Sequence, residues 1–220
     1  YNIKELALLF DHTNLNAYAG RNDIENLCRQ AVENGFMSVM MNPCNVSLCA
    51  DILKGTGVKV GTVCGFPLGS STVETKIFEA ANAMMDGAVE VDYVINIGAA
   101  KDGRYDLIKN EMQSITDTCR QKGVLVKVIF ENCYLESDEI KRLCEIACEV
   151  KPGFIKTSTG FGKYGASKED VRLMSESVAG SGVKVKAAGG IRDLKTLEEM
   201  LEAGAERIGS SSGMAIIQEF

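Results

Sequence analysis

The strongest constraint on this chain is an alternation of short β-rich runs with longer helical ones, repeated eight times in 220 residues. Strands are predicted near Leu8–Asp11, Met37–Met41, Val58–Cys64, Glu90–Ile95, Leu125–Phe130, Phe154–Thr157, Val183–Ala188 and Arg207–Gly209. Helical patterns are predicted over Asp23–Asn34, Ser71–Met85, Tyr105–Gln121, Asp138–Val150, Lys168–Val178 and Leu194–Glu202, with a last helix beginning near Ser212. Asp23 reads as an N-cap, followed by Ile24, Leu27, Cys28 and Ala31 at helical spacing. Gly35, Gly87, Gly123, Gly182 and Gly204 each follow a helical run, where a C-cap favours positive φ. Strand then helix, eight times over with no break in composition, predicts an α/β chain folded as a single (β/α)8 barrel of the TIM type spanning residues 1–220. A doubly wound open sheet is the alternative.

Charge and composition narrow the function. A formal net charge of −6 argues against nucleic acid and anionic membranes as partners. No apolar run approaches the roughly 18 residues of a membrane span, and no signal peptide is visible. None of the eight cysteines forms a CxxC pair, and most sit in apolar segments, which suits reduced thiols in a cytoplasmic protein. His12 is the single histidine, so a two-histidine metal site within one chain is excluded. The expected chemistry uses neither metal nor cofactor.

Side chains alternate between the two faces of a strand. On that basis Glu90 and Asp92, Lys127 and Glu131, Lys156, and Lys184 with Lys186 fall opposite apolar neighbours. The apolar faces suit a layer of helices, so the charged faces should point into the barrel. A charge there is costly unless paired, and the expected balance is Lys127, Lys156 and Lys186 against Asp92, Glu131 and Asp11. Such a set can be an inert buried network. Asp92, Lys156 and Lys186, however, lie toward the C-terminal strand ends, where barrel enzymes build their sites. Adjacent ammonium groups and burial both lower a lysine pKa, and a neutral lysine attacks carbonyls.

Glycine-rich loops follow the same strands. Lys156 leads into Thr157–Gly162, Lys186 into Ala187–Arg192, and the last strand into Gly209–Gly213. Backbone amides of such loops cradle phosphate, commonly after strands seven and eight of a barrel. Gly160, Gly189, Gly190, Arg192, Gly209, Ser211 and Ser212 are therefore the candidate phosphate-binding residues.

These segments fall into a recognisable series: DHT at Asp11–Thr13, GFPLG at Gly65–Gly69, EVDYVINIG at Glu90–Gly98, KVIFE at Lys127–Glu131, FIKTSTGFG at Phe154–Gly162, VKAAGGIR at Val185–Arg192 and RIGSSSG at Arg207–Gly213. In this the chain closely resembles the deoxyribose-phosphate aldolases, class I enzymes of the Schiff-base type. The resemblance implies a TIM barrel that reversibly cleaves 2-deoxy-D-ribose 5-phosphate to D-glyceraldehyde 3-phosphate and acetaldehyde without metal. It makes Lys156 the Schiff-base lysine, Lys186 the second lysine and Asp92 the proton-transfer aspartate, with Asp11, Thr13 and Lys127 as the supporting network. Two departures stand out. Met40 occupies a place where many relatives have cysteine, with Cys44 nearby but shifted. Phe161 stands where some relatives have lysine, leaving Lys163, Arg192 or backbone amides to hold the phosphate. A Schiff-base aldolase for another phosphorylated sugar and a non-catalytic phosphosugar-binding barrel are the competing readings. The oligomeric state stays open between homodimer and homotetramer.

Overall fold

The computed structural model describes all 220 residues, Tyr1–Phe220. Eight parallel strands close into a barrel in sequential order: β1 (Phe10–Asn14), β2 (Ser38–Met41), β3 (Lys59–Cys64), β4 (Glu90–Val94), β5 (Leu125–Ile129), β6 (Phe154–Lys156), β7 (Lys184–Ala188) and β8 (Arg207–Ser210). Closure is made by β8 pairing with β1, where Asp11 stands opposite Gly209 on one side and Ser38 on the other. The expected barrel is present and the open sheet is not.

The helices are α1 (Ile3–Ala7), α2 (Arg21–Asn34), α3 (Val46–Ile52), α4 (Val73–Met85), α5 (Ile97–Lys101), α6 (Tyr105–Arg120), α7 (Ser137–Val150), α8 (Lys168–Ser177), α9 (Leu194–Glu202) and α10 (Gly213–Glu219). Their apolar stripes bury against the outer strand faces, as Ile24, Leu27, Cys28 and Ala31 do on α2. Gly35 ends α2 in the left-handed region at φ 67, as its place after the helical run predicts. No helix is long and apolar enough to cross a membrane.

Three local expectations are corrected. The first strand begins at Phe10 rather than Leu8, because the apolar stretch before it is already committed to α1. There Asn2 Oδ1 accepts from Lys4 N and Glu5 N, while the Glu5 carboxylate accepts from Asn2 N at 2.9 Å, so a capping box fixes the helix start. Asp23 is not the N-cap of α2. Gly20 holds that position with an extended backbone, and Asp23 reaches back from the first turn to accept from Gly20 N at 2.8 Å. The third correction is α3, a two-turn helix too short for its periodicity to stand out in the sequence.

Candidate active site

The barrel interior holds a continuous charged network at its centre. Deepest are Glu90, Lys127 and Arg207: Lys127 Nζ donates to Glu90 Oε2 at 2.6 Å, and Arg207 Nη1 lies 3.4 Å from the same carboxylate. Asp11 links this floor to the upper layer. Its carboxylate accepts from Arg207 Nη1 at 2.7 Å and from Ser38 Oγ at 2.7 Å, and it also binds Lys186 Nζ. Asp92 sits at the crossing, with Lys127 at 2.8 Å on one oxygen, and Lys186 at 2.8 Å and Lys156 at 3.0 Å on the other.

All of these groups are buried, and their protonation follows from neighbours as much as from burial. Desolvation would raise the Asp11 and Asp92 carboxyls. The ammonium groups of Lys127 and Lys186 override it in both cases, helped by Arg207 at Asp11 and by Lys156 at Asp92, and hold both acids below the usual range. Lys127 shows the converse. Burial pushes it down, but Asp11, Asp92 and Glu90 together raise it above an ordinary lysine. Lys156 goes the other way. Burial and then the Lys186 charge bring it down to about 8, against the upward pull of Asp92.

Lys156 alone among the four network cations borders the main cavity, a space of about 560 Å³ at the C-terminal mouth of the barrel. One wall is formed by Thr159–Phe161, Ala188–Arg192 and Gly209–Ser211, and the other by His12–Asn16 with the α2 side chains Asp23, Asn26 and Gln30. Gly160, Gly189 and Gly190 have φ of 90, 83 and 80, a region open to glycine at little cost. The amides of Gly160, Gly189, Gly190 and Ser211 donate to no acceptor within the chain, so four N–H groups are free on this wall. That is the equipment an anion requires.

Most of the residues expected from the sequence are thus brought together. Asp92, Lys127, Lys156, Lys186 and Asp11 meet in one network, and Thr13 borders the cavity with its hydroxyl on Asp11 O at 2.8 Å. Gly160, Gly189, Gly190, Arg192, Gly209 and Ser211 line the cavity as well. Others stand apart. Ser212 does not line the cavity, and its amide is already taken by Ser210 Oγ at 2.9 Å. Lys163 lies over the Tyr134 ring, 5.3 Å from its centroid, and is not part of the cavity wall. Lys184 is on the inward face of its strand but at the open bottom, where it is exposed and 3.4 Å from Glu206. Glu131 is no partner of the lysines: its backbone turns left-handed beyond β5, and its carboxylate accepts from Thr159 instead. Met40 packs inside the barrel with Leu15, Val63 and Phe66, whereas Cys44 is exposed.

Sequence reasoning missed the pairing role of Arg207 and the contribution of Glu90. Alternation already puts Glu90 on the inward face with Asp92, where only its place in the charge balance was left out, and extending the same period to β8 puts Arg207 in phase with Gly209. His12 was read only for what it excludes. It lines the cavity, and its Nε2 pairs with Gln30 Oε1 at 2.7 Å, while burial lowers its pKa and keeps the ring neutral.

Residues 5–219 match the family model described as DeoC/LacD family aldolase. A deoxyribose-phosphate aldolase of Lactobacillus acidophilus is 51% identical over 218 residues, covering 99% of this chain and 92% of that protein. One from Thermococcus kodakarensis is 50% identical over 219 residues, covering 99% and 97%. The tetrameric deoxyribose phosphate aldolase from Aeropyrum pernix superposes with a TM-score of 0.93 at 29% identity, covering 100% of this chain and 92% of the other. With a barrel of that shape, an amine of lowered pKa at its mouth and a family match across nearly its whole length, this chain belongs to the DeoC/LacD family of aldolases.

Proposed function

We propose that residues 1–220 form one barrel domain that acts as a class I aldolase, reversibly cleaving 2-deoxy-D-ribose 5-phosphate to D-glyceraldehyde 3-phosphate and acetaldehyde. The observation that carries this reading is the Lys156 amine, held near pKa 8 beside Lys186 and Asp92 and opening on a cavity walled by free amides.

The chemistry starts with the neutral fraction of Lys156. Its amine attacks C1 of the open-chain sugar, and the carbinolamine takes up a proton from solvent at the cavity mouth and loses water to leave a cationic imine. That cation is an electron sink two bonds from the C2–C3 bond. Asp92 takes the proton of the C3 hydroxyl, the C2–C3 electrons flow into an enamine, and C3 leaves as the aldehyde carbon of glyceraldehyde 3-phosphate. The same proton returns from Asp92 to C2, and water releases acetaldehyde and free Lys156. Lys186 keeps the amine pKa low before attack and balances Asp92 throughout. Asp11, Thr13 and Lys127 hold Asp92 and Lys186 in place, and Arg192 with the four free amides takes the phosphate.

Incubation with deoxyribose 5-phosphate and borohydride tests this, because it fixes an imine as a stable amine. Mass spectrometry should find the adduct on Lys156, and an adduct confined to Lys186 overturns the assignment. Turnover should survive EDTA. We further read the protein as cytoplasmic, in keeping with eight unpaired cysteines, and as self-associating into a homodimer or homotetramer. Cell fractionation and light scattering check these two points.

A further inference from the structure

The corner after β5 holds a residue that the reaction scheme leaves unused. Glu131 is only 2% exposed, and its backbone lies in the left-handed region at φ 59. A residue other than glycine holds that conformation where its surroundings over-determine it, typically at functional sites. Its carboxylate forms no ion pair. Both oxygens are spent on a single residue of the loop after β6: Oε1 accepts from Thr159 N at 3.0 Å, and Oε2 accepts from Thr159 Oγ1. The Thr159 hydroxyl then accepts from Phe161 N at 3.0 Å, so one carboxylate orders three consecutive residues. The loop also closes over it, because a Cβ at Gly162 would come within 3.2 Å of Glu131 Cδ. On either side of Glu131 the backbone is tied to the nucleophile strand, Phe130 N to Lys156 O at 3.0 Å and Asn132 N to Thr157 O at 2.9 Å.

We propose that Glu131 is the positioning residue for the phosphate-facing loop. Its carboxylate holds Thr159 so that the Gly160 amide, free of any intramolecular acceptor, is aimed into the cavity. This rests on reading the cavity wall as a phosphate subsite. A lone buried carboxylate near an anion subsite is unfavourable by charge alone. What keeps it is geometry: an acceptor-only group with two oxygens can take both the N–H and the O–H of one threonine. The charge on Glu131 also polarises the Thr159 hydroxyl, making Oγ1 a better acceptor for the Phe161 amide. Glutamine has the same shape but one acceptor oxygen fewer and no charge, so the Thr159 hydroxyl would have to reverse its role and the charge-assisted bond would be lost.

The test compares Glu131→Gln, Thr159→Val and Thr159→Ser with the wild type by two readouts. One is the Kd of inorganic phosphate by calorimetry. The other is the ratio of kcat/KM for deoxyribose 5-phosphate to that for unphosphorylated deoxyribose. Losing one charge-assisted hydrogen bond should weaken phosphate about tenfold or more in Glu131→Gln and Thr159→Val, and lower the ratio in step. Thr159→Ser keeps the hydroxyl and should recover most of what Thr159→Val loses. The double variant Glu131→Gln/Thr159→Val should be little worse than either alone, since both break one chain of bonds. Unchanged or tighter phosphate binding in Glu131→Gln would overturn the proposal, because the carboxylate would then only repel the anion. Equal losses on both sugars would overturn it too, by showing that the loop merely supports Lys156. If Glu131→Gln does not fold, the two Thr159 variants decide alone. A wild type that binds phosphate but leaves the deoxy sugar intact refutes the proposed reaction and not this inference, whereas one that binds no phosphate refutes this inference whatever its activity.

Discussion

Lys156 and Lys186 donate to the same oxygen of Asp92, at 3.0 and 2.8 Å. Sharing one acceptor holds two largely buried ammonium groups close together. The formal charges of the network do not cancel: Lys127, Lys156, Lys186 and Arg207 face only Asp11, Glu90 and Asp92. One proton too many is costly in a low-dielectric interior, and releasing it neutralises the whole cluster. Lys156 is the member that gives it up, and the one that meets the cavity.

Replacing Lys186 with leucine removes the excess charge by another route, and Lys156 then becomes a needed counter-ion. Its pKa should climb from about 8 toward the roughly 10.4 of a free lysine. The neutral fraction at pH 7.5 falls by up to about 200-fold for the full shift, less if burial keeps part of the depression. Turnover of Lys186→Leu should therefore drop at pH 7.5 and recover in part as pH rises toward 10. Lys156→Leu lacks the proposed nucleophile and should recover at no pH. A pH–rate profile on both variants checks this. A Lys186→Leu profile parallel to the wild type would mean that burial alone activates Lys156.

The same imbalance makes Lys156 a liability for the fold. Between pH 8 and about 10.4 the unfolded chain binds a proton at Lys156 that the native state has released, so stability from this group rises with pH across that window. Below pH 8 the native state carries the charge in a poor place, at a cost of about 3 kcal/mol. Lys156→Met should thus be inactive yet more stable at pH 7 by about that amount, a gain that shrinks as pH approaches 10. Urea unfolding at pH 7 and pH 10 measures it. A Lys156→Met protein less stable than the wild type at pH 7 would falsify the charge argument.

On the acid side stability again rises with pH, but here the charged forms are the ones the fold favours. Asp11 and Asp92 have lowered pKa values in the fold, so their stabilisation is complete above the roughly 3.9 of an unfolded aspartate and is lost as pH falls below it. The melting temperature should fall only slightly from pH 7 to 5, where the buried neutral His12 alone resists a proton that the unfolded chain accepts, and steeply below about 4. Asp11→Asn leaves Arg207 and Lys186 short of a partner, so it should cost about 3–5 kcal/mol at pH 7 and show a shallower acid slope. Calorimetry from pH 7 to pH 2 follows both. Identical slopes would show that the acid transition belongs to other carboxylates.

The barrel was legible because each unit repeats the same change of period, from two in a strand to nearly four in a helix. Where the fold was misread, the pattern was short. Leu6-Ala7-Leu8-Leu9 reads equally as strand or helix, and only the Asn2 cap decides for α1. The lysines were legible for a different reason: a charge inside an apolar strand has few explanations, and Asp92, Lys156 and Lys186 all lie within strands. Glu131 was misassigned because alternation stops where the strand does. One residue past Phe130 the backbone turns left-handed, and the carboxylate faces the next loop rather than the barrel axis. Ser212 failed similarly, since no spacing rule shows that Ser210 Oγ claims its amide.

The glycine-walled side of the cavity gives the last prediction. The four residues with free amides and Arg192 line that side, and hydrogen bonds to a charged phosphate are worth about 1.5–3 kcal/mol each. Two such bonds alone would separate the phosphorylated from the unphosphorylated sugar by about 10²–10⁴ in kcat/KM. Binding energy at this remote group also positions C1 against Lys156, so part of the loss should appear in kcat. Gly189 is the residue to change. Its φ of 83 suits glycine, and a Cβ there would lie 3.0 Å from the Gly165 backbone, so Gly189→Ala must shift the loop or strain it. That variant should lose about tenfold or more on deoxyribose 5-phosphate, at the scale of one misdirected amide, and much less on deoxyribose. Steady-state kinetics on the two sugars measure both effects. Comparable kcat/KM values for the two in the wild type would show that this wall does not hold the phosphate.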